Sequence, residues 1–337
     1  GSTCVSTSLL QYEIDVPLSK LKNMRGLYDA ARAYSLCKRA IEELATIAKK
    51  IKYADYELKN SLYYAAYKKD AALIKEEYAL RKAQGFLVDY LSEEDIYKQF
   101  LLHAPCAILS HHGAQMNAYL YTHHLLQYGI QKGLRVYDRT CISNIQHGRK
   151  KVQLQTAEGL KIVAKKLIFA TGYEVVKYID KKIVDLQSTY AVISENMQPG
   201  NDFFKYYTLI WNTADPYLYM RSTPDNRIIC GGRDEEFSSP VKRDRLLKHK
   251  AKLLGADFKK LLPHIPFKME FSWTGTFGST KDGLPFIGEY KKLPNSYFAL
   301  GFGGNGITFS QVAAEIIRDL MTGKKKDDAK IFAFERR

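Results

Sequence analysis

The sequence has few cysteines and no long apolar run. Cys4, Cys37, Cys106, Cys141 and Cys230 are scattered and odd in number, with no CxxC pair. Such a set builds neither a disulfide framework nor a zinc site, and it suits a reducing cytoplasm. No stretch reaches the roughly 18 consecutive apolar residues of a membrane-spanning helix. The opening GSTCVSTSLLQYEID has neither the basic start nor the apolar core of a secretory signal. His111 and His112, like His123 and His124, diverge on a strand or a helix, and no carboxylate completes a set, so no metal site is expected. Internal repeats and low-complexity tracts are absent. Acidic residues are in deficit, 36 against 51 basic ones, for a net charge of +15. The lysines are spread along the chain without forming a basic stripe, so nucleic acid is not an expected partner. A small anionic ligand steered by the field suits such a surface.

What is present is an ordinary globular composition in 337 residues, long enough for two domains. The organising stretch lies near the end, NSYFALGFGGNGITFSQVAAEIIRDL over 295–320. Residues 297–300 read as a short buried strand. Gly301, Gly303, Gly304 and Gly306 then make a tight turn, and Ile307, Val312, Ala313, Ile316, Ile317 and Leu320 recur at helical spacing. A strand–glycine turn–helix aims free backbone N–H groups and the positive end of a helix dipole at one point. The spacing is literally GxGxxG, but no further strand and no acidic residue about 20 positions on follow it, so it is not the dinucleotide fingerprint. No GK[ST] follows either, which excludes a P-loop.

Along the chain, residues 1–11 read as a small polar loop, 27–52 as a long helix, and 53–81 as helical and heavily charged. Ser92 reads as a helix cap ahead of 96–100. Strands are predicted over 105–110, 134–137, 142–146, 152–156 and 162–170, with a helix over 117–129 ended by glycine. The apolar run 162–170 ends in Thr171-Gly172, as a central parallel strand facing a ligand does. From 189 onward short strands dominate: 190–194, 207–211, 217–221, 227–230 and 268–276, with a helix over 241–254. Lys281-Asp282 reads as a structural turn.

Four pieces in order resemble one family, the FAD-dependent oxidoreductases that include D-amino-acid oxidase, glycine oxidase and sarcosine oxidase. They are Phe169-Ala170-Thr171-Gly172-Tyr173, the hairpin 217–232, Trp273-Thr274-Gly275 through Thr280-Lys281-Asp282-Gly283-Leu284-Pro285-Phe286-Ile287-Gly288, and 299–308. The similarity covers nearly the whole chain. It implies an α/β fold, α+β overall, with a Rossmann-like FAD domain assembled from 1–26, 105–185 and 276–337. A helical insertion and an antiparallel substrate domain would take 27–104 and 186–275. The family's N-terminal βαβ unit with its own GxGxxG is missing ahead of Gly1, so a truncated form is expected.

The resemblance further implies cofactor contacts at Ser2, Thr3, Ser6, Thr7, Ser8 and Leu9, at Cys141 and Ile142, and at Thr171 and Gly172. Gly303, Gly304, Asn305, Gly306, Ile307 and Thr308 would meet the pyrimidine edge of the flavin. Tyr217 matches a substrate-pocket tyrosine of the family, and Tyr219, Arg233, Asp234, Trp273 and Phe277 are further candidates to face the flavin. Flavin amine oxidation asks little of side chains, and no catalytic one is assigned. Two arginines that clamp a substrate carboxylate in glycine-oxidase-like members are replaced here by Phe277 and Gly304, leaving Arg221 or Arg233 as other basic candidates. Gly275 stands where the sarcosine-oxidase-like branch can place a flavin-linking cysteine, so non-covalent FAD is expected. The expected activity is oxidation of a C–N bond of a small amine or amino acid to an imine. The alternative is a flavin-free remnant acting as a binding protein.

Overall fold

The computed structural model describes residues 2–197, 208–324 and 327–336. Its fifteen described strands form three sheets. The largest is built from β1 (Leu9–Gln11), β2 (Glu57–Tyr64), β3 (Val88–Ser92), β4 (Cys106–Gln115), β9 (Asp185–Ser194), β10 (Thr208–Asn212), β11 (Tyr219–Ser222), β12 (Ile228–Glu236) and β13 (Met269–Ser279). Its order is β1-β4-β2-β10-β11-β12-β9-β13, with β3 on the free half of the β4 edge that β1 occupies further along. All its pairs are antiparallel except β2 with β10. Between them, β5 (Ile142–His147), β6 (Val152–Thr156) and β7 (Lys161–Ala164) form a separate antiparallel meander. The third sheet places β15 (Ser296–Leu300) between β14 (Phe286–Glu289) and β8 (Leu167–Phe169), with β15 and β8 parallel.

The pleat sorts the large sheet into two faces. Tyr63 and Trp211, stacked at 3.9 Å, lie on one; Leu62, Tyr64, Ile210, Met220 and Cys230 lie on the other. The second face is covered by α6 (Pro240–Leu261), which buries Ala251, Leu254 and Phe258 and starts from Ser239, whose side chain accepts from the N–H of Lys242. The first face joins the main core with α1 (Leu18–Arg25), α2 (Leu27–Lys50) and α7 (Gly306–Met321). Buried Ala30, Ala33, Tyr34, Cys37, Ala40, Ile41, Leu44 and Ala48 give α2 one apolar stripe, against which α7 packs.

The other helices are α3 (Ala71–Ala83), α4 (Glu93–Phe100), α5 (Ala118–Gln131) and the short α8 (Asp328–Ile331). Ser92 caps α4 as expected, in a reciprocal capping box with Asp95.

Three element expectations are corrected. The stretch 53–81 is not helical throughout, because Leu62, Tyr63 and Tyr64 suit the pleated surface between β4 and β10 and form β2. Residues 134–137 form no strand: α5 runs through Gly129 and closes at Gly133 (φ +94°), with the N–H of Leu134 donating to Gly129 O. The run 162–170 is two strands in two sheets, parted at Lys165-Lys166, and β8 lies at the border of its sheet, not its centre. Tyr207, expected to open a strand, lies outside the described residues.

Candidate active site

The glycine turn folds as its sequence dictates. Gly301 and Gly303 take positive φ (+73° and +57°), and a single 3-10 turn over Gly303–Asn305 feeds α7. No side chain caps the start of α7, so the first N–H groups of a 16-residue helix are left for an acceptor. Just ahead of the helix, in the 3-10 turn, Asp15 Oδ2 takes the Gly304 N–H at 2.7 Å. A Cβ on Gly303 would collide with this carboxylate, and one on Gly304 would lie 2.8 Å from Asp15 Oδ1 and 2.7 Å from Tyr217 Oη. The glycines are thus needed for the close approach of an anionic oxygen. Asn305 and Thr308 are buried and point elsewhere. Asn305 Nδ2 donates to Glu13 O at 2.7 Å, and Thr308 Oγ1 donates to Gln11 O at 3.2 Å. They lock the turn onto the end of β1 and the segment after it, while the N–H of Asn305 closes the turn on Phe302 O at 3.2 Å. Gly306 and Ile307 open the helix beside them.

The polar N-terminal loop crosses the first face of the large sheet. Trp273 Nε1 donates to Val5 O at 2.8 Å, and Arg221 Nε donates to Thr7 O at 2.5 Å. Gly275, two residues from Trp273 on the same face, lies under that crossing, where a Cβ would make ordinary contacts at 3.6 Å from Thr189 and 4.0 Å from Val5. Ser8 (φ +55°) turns the chain into Leu9 at the start of β1, through a bond from its N–H to Ser6 Oγ; Ser2 and Thr3 lie in the short 3-10 turn before it. Phe277 is half-buried on the same face of β13.

The hairpin β11–β12 supplies the tyrosines. A Cβ on Gly231 would collide with the Tyr219 ring, and one on Gly232 with Tyr217 O, so the Gly-Gly pair makes the space both tyrosines occupy. Tyr217 Oη donates to Asp15 Oδ1 at 3.4 Å, and its ring meets Trp211 edge-on at 6.2 Å. Beyond Gly232 the register with β9 slips, and this bulge sends two neighbours to different places. Arg233 (φ +59°) goes to α6, where Nε donates to Asp257 at 2.7 Å. Asp234 goes to the side of Tyr217, Tyr219 and Thr189, with a buried Oδ1 that has no hydrogen-bond partner among the described residues.

The electrostatics follow from this placement. Burial pushes the Asp234 carboxyl up to about 6; the Thr189 hydroxyl counters this and the charge of Asp15 adds to it. Asp15 is accessible to solvent yet ringed by protein, as a group on a cleft wall is; its surroundings raise it above the usual carboxylate range despite its bonds from Gly304 and Tyr217. Burial likewise raises Glu13, which lies beside Arg81. The nearby cations are engaged. Arg221, lowered by burial to about 10, donates to Thr7 O and Ser222 O; Arg233 pairs with Asp257, and Lys250 with Glu235.

Other expected positions lie on other elements. Cys141 is exposed and, with Ile142, heads the β5–β6–β7 meander. Thr171 and Gly172 follow β8, where Gly172 (φ +61°) has open space around its missing Cβ, and the 3-10 turn Gly172–Tyr178 packs on β13 and β15. Asp282 is structural: it accepts both arms of Arg336 at 2.9 Å. The four histidines expected to hold no metal lie in β4 and α5, and among the described residues no group of three or more His, Cys, Asp or Glu is placed to hold one. No described helix is long and apolar enough to cross a membrane. Sequence reasoning missed Glu13, Asp15 and Trp211. The acidic pair spaced among buried Tyr12 and Ile14 was the available signal.

An uncapped α7 start, glycines that admit an anionic oxygen and a pinned polar loop fit the edge of a flavin. Comparison with known proteins agrees. Over 208 residues the chain is 26% identical to gamma-glutamylputrescine oxidoreductase of Escherichia coli (strain K12), covering 57% of this chain and 44% of that protein. Over 77 residues it is 34% identical to glycine oxidase of Bacillus subtilis (strain 168), covering 23% and 21%. The matches thus span less than half the length of these curated relatives. The crystal structure of glycine oxidase from Geobacillus kaustophilus superposes with a TM-score of 0.78 at 18% identity, covering 100% of this chain and 89% of that one, which establishes the shared fold. The family model described as DAO, FAD dependent oxidoreductase, matches residues 1–320, and the chain belongs to that family.

Proposed function

We propose that this protein uses non-covalently held FAD to oxidise a C–N bond of a small amine or amino acid to an imine. The observation that carries this is the convergence of the uncapped α7 turn, the pinned N-terminal loop and the half-buried Tyr217, Tyr219 and Trp273 on one face of a rigid sheet. The names of the matched relatives, an oxidoreductase of gamma-glutamylputrescine and an oxidase of glycine, support an amino compound as substrate.

The turn Gly303–Ile307 and the loop 2–9 would hold the cofactor, with Thr171 and Gly172 beside it and Cys141 and Ile142 toward its far end. Bound FAD would take up the two electrons and the hydrogen lost from the carbon next to nitrogen. The chain's own residues bind and orient. Tyr217, Tyr219, Trp273 and Phe277 wall the cleft and exclude water, and the helix dipole of α7 favours negative charge at its start. Gly275 offers no sulfur where the sarcosine-oxidase-like branch can place a flavin-linking cysteine, which supports a non-covalent cofactor. Five free cysteines suit a cytoplasmic setting.

The test is a visible absorption spectrum of the purified chain, with and without added FAD, before and after gel filtration. A flavin band that travels with the protein and is released by acid supports the reading. A chain that stays colourless under saturating FAD overturns it in favour of a flavin-free binding protein.

A further inference from the structure

Below Tyr217 lies a cavity of about 20 Å³, lined by Gln11, Glu13, Asp15, Trp211, Tyr217 and Asn305 among others. It has room for one water-sized group. Two of its walls are carboxylates. Glu13 is 2% exposed; its Oε1 takes Arg81 Nη1 at 3.3 Å, and its Oε2 is buried without a hydrogen-bond partner among the described residues. Leaving such an oxygen unpaired is costly, so the cavity calls for a donor. Two more walls are the side chains of Trp211 and Tyr217, whose rings meet edge-on at 6.2 Å. An alkylammonium head is close to water in size and brings three donors and a positive charge.

The acidic groups at the cleft outnumber the cations that face it, since Arg81 is taken up by Glu13 and Glu77 behind the cavity. Asp15 and Asp234 face the cleft, with Glu13 behind them, and Asp234 also has a buried oxygen unpartnered among the described residues. The arginines that could receive a carboxylate are already occupied: Arg221 by Thr7 O and Ser222 O, Arg233 by Asp257. A substrate carboxylate entering here would meet Asp15 and Asp234 and would have to compete with these bonds for a guanidinium; a second ammonium would meet partners.

Resting on the proposed amine oxidation, we infer that the substrate is a diamine-type dication, whose non-reacting ammonium is held in the cavity between Glu13, Asp15, Trp211 and Tyr217. The other nitrogen is then left for oxidation further along the cleft. Glu13 and Asp15 determine specificity and are not catalytic.

The experiment is titration calorimetry of the full chain with 1,4-diaminobutane, butylamine and glycine, each in the presence and absence of FAD. The diamine is expected to bind at least about 10-fold tighter than butylamine, and glycine weakest, the second ammonium being worth one hydrogen bond to a charged group. Asp15→Asn keeps the acceptor for Gly304 and removes the charge. It should weaken the diamine roughly 10- to 100-fold and leave butylamine within about threefold. Glu13→Gln should do the same; because Glu13 also meets buried Arg81, its fold is checked by circular dichroism, and Asp15→Asn carries the test if it fails. Equal affinity for diamine and butylamine, tighter binding of glycine, or an Asp15→Asn variant with wild-type diamine affinity overturns the inference. Diamine binding without any flavin band supports the cavity while overturning the oxidase reading. A flavin band without diamine preference does the reverse.

Discussion

Arg81 is, with Glu77, one of the two charged residues at 0% exposure among the described residues, and its removal tests how the site is held from behind. Its guanidinium lies 5.7–5.8 Å from the ring centres of Tyr12, Tyr34 and Tyr63. Nε donates to Glu77 Oε1 at 2.8 Å and Nη1 to Glu13 Oε1 at 3.3 Å. Glu77 in turn accepts the N–H groups of Leu18 at 2.9 Å and Ser19 at 2.8 Å, so α3 caps the start of α1. Burial alone would raise Glu77, but Arg81 and these N–H groups outweigh it and hold it below the usual carboxylate range. Arg81→Met keeps volume and removes the charge, leaving one ionised and one easily protonated carboxyl without their cation. Breaking a buried pair this way costs about 3–5 kcal/mol. With a urea slope of about 3 kcal/mol/M, the midpoint should fall by roughly 1–2 M. Urea unfolding followed by the fluorescence of Trp211 and Trp273 measures it. Glu77→Gln should be destabilising alone, and the double variant should lose about 1–3 kcal/mol less than the sum. A single Arg81→Met variant within about 1 kcal/mol of wild type would refute the view that this network is what holds Glu13 and the α1 start in place.

Two further outcomes follow from the cleft. Asp234 is held at about 6 in the folded chain against roughly 3.9 unfolded. Its contribution is complete below about pH 4 and is lost as pH rises through about 6, a deficit on the order of 1–3 kcal/mol at neutral pH. Asp234→Asn should therefore match wild type in urea unfolding at pH 4 and exceed it at pH 7; equal midpoints at both values would sink this. Gly231→Ala puts a Cβ into the Tyr219 ring and should cost about 1–3 kcal/mol. Adding Tyr219→Leu should recover part of that loss, and a double variant no better than the single one would show that the collision is not the cause.

Local chemistry was legible in the sequence where it is set by neighbours along the chain. The glycine turn and α7 follow from glycine spacing and a period of 3.6. The Ser92 cap follows from an acidic residue three positions on. What was not legible depends on distant partners. Lys-rich 53–81 carries helix formers, but Tyr63 needs Trp211 beneath it and Tyr64 needs Asn212, so β2 is decided across the sheet. Arg221 and Arg233 look equally available in sequence; Thr7 O and Asp257 decide otherwise. Asp15 gains its meaning only from Gly304, 289 residues on.

The same distant contacts explain why selectivity in this cleft should rest on charge placement. Asp15 and Tyr217 are held by one another and by the Gly304 N–H. The Gly304 turn is fastened by Asn305 and Thr308 to the backbone that carries Glu13. Tyr219 is wedged over Gly231, and Asp234 is aimed by the bulge after Gly232. Each group comes from a different segment, yet each is fixed by a buried or backbone partner, so repositioning one to suit another substrate would break several bonds. A net charge of +15 draws anions to the surface as a whole. The uncapped α7 start suits an anionic group, while the carboxylates beside it suit a cation. The pyrimidine edge of a reduced, negatively charged flavin and a substrate bearing ammonium groups would meet those two fields without competing for the same partners. An α-amino acid would set its carboxylate against Asp15 and Asp234, and that is the physical reason to screen diamines first.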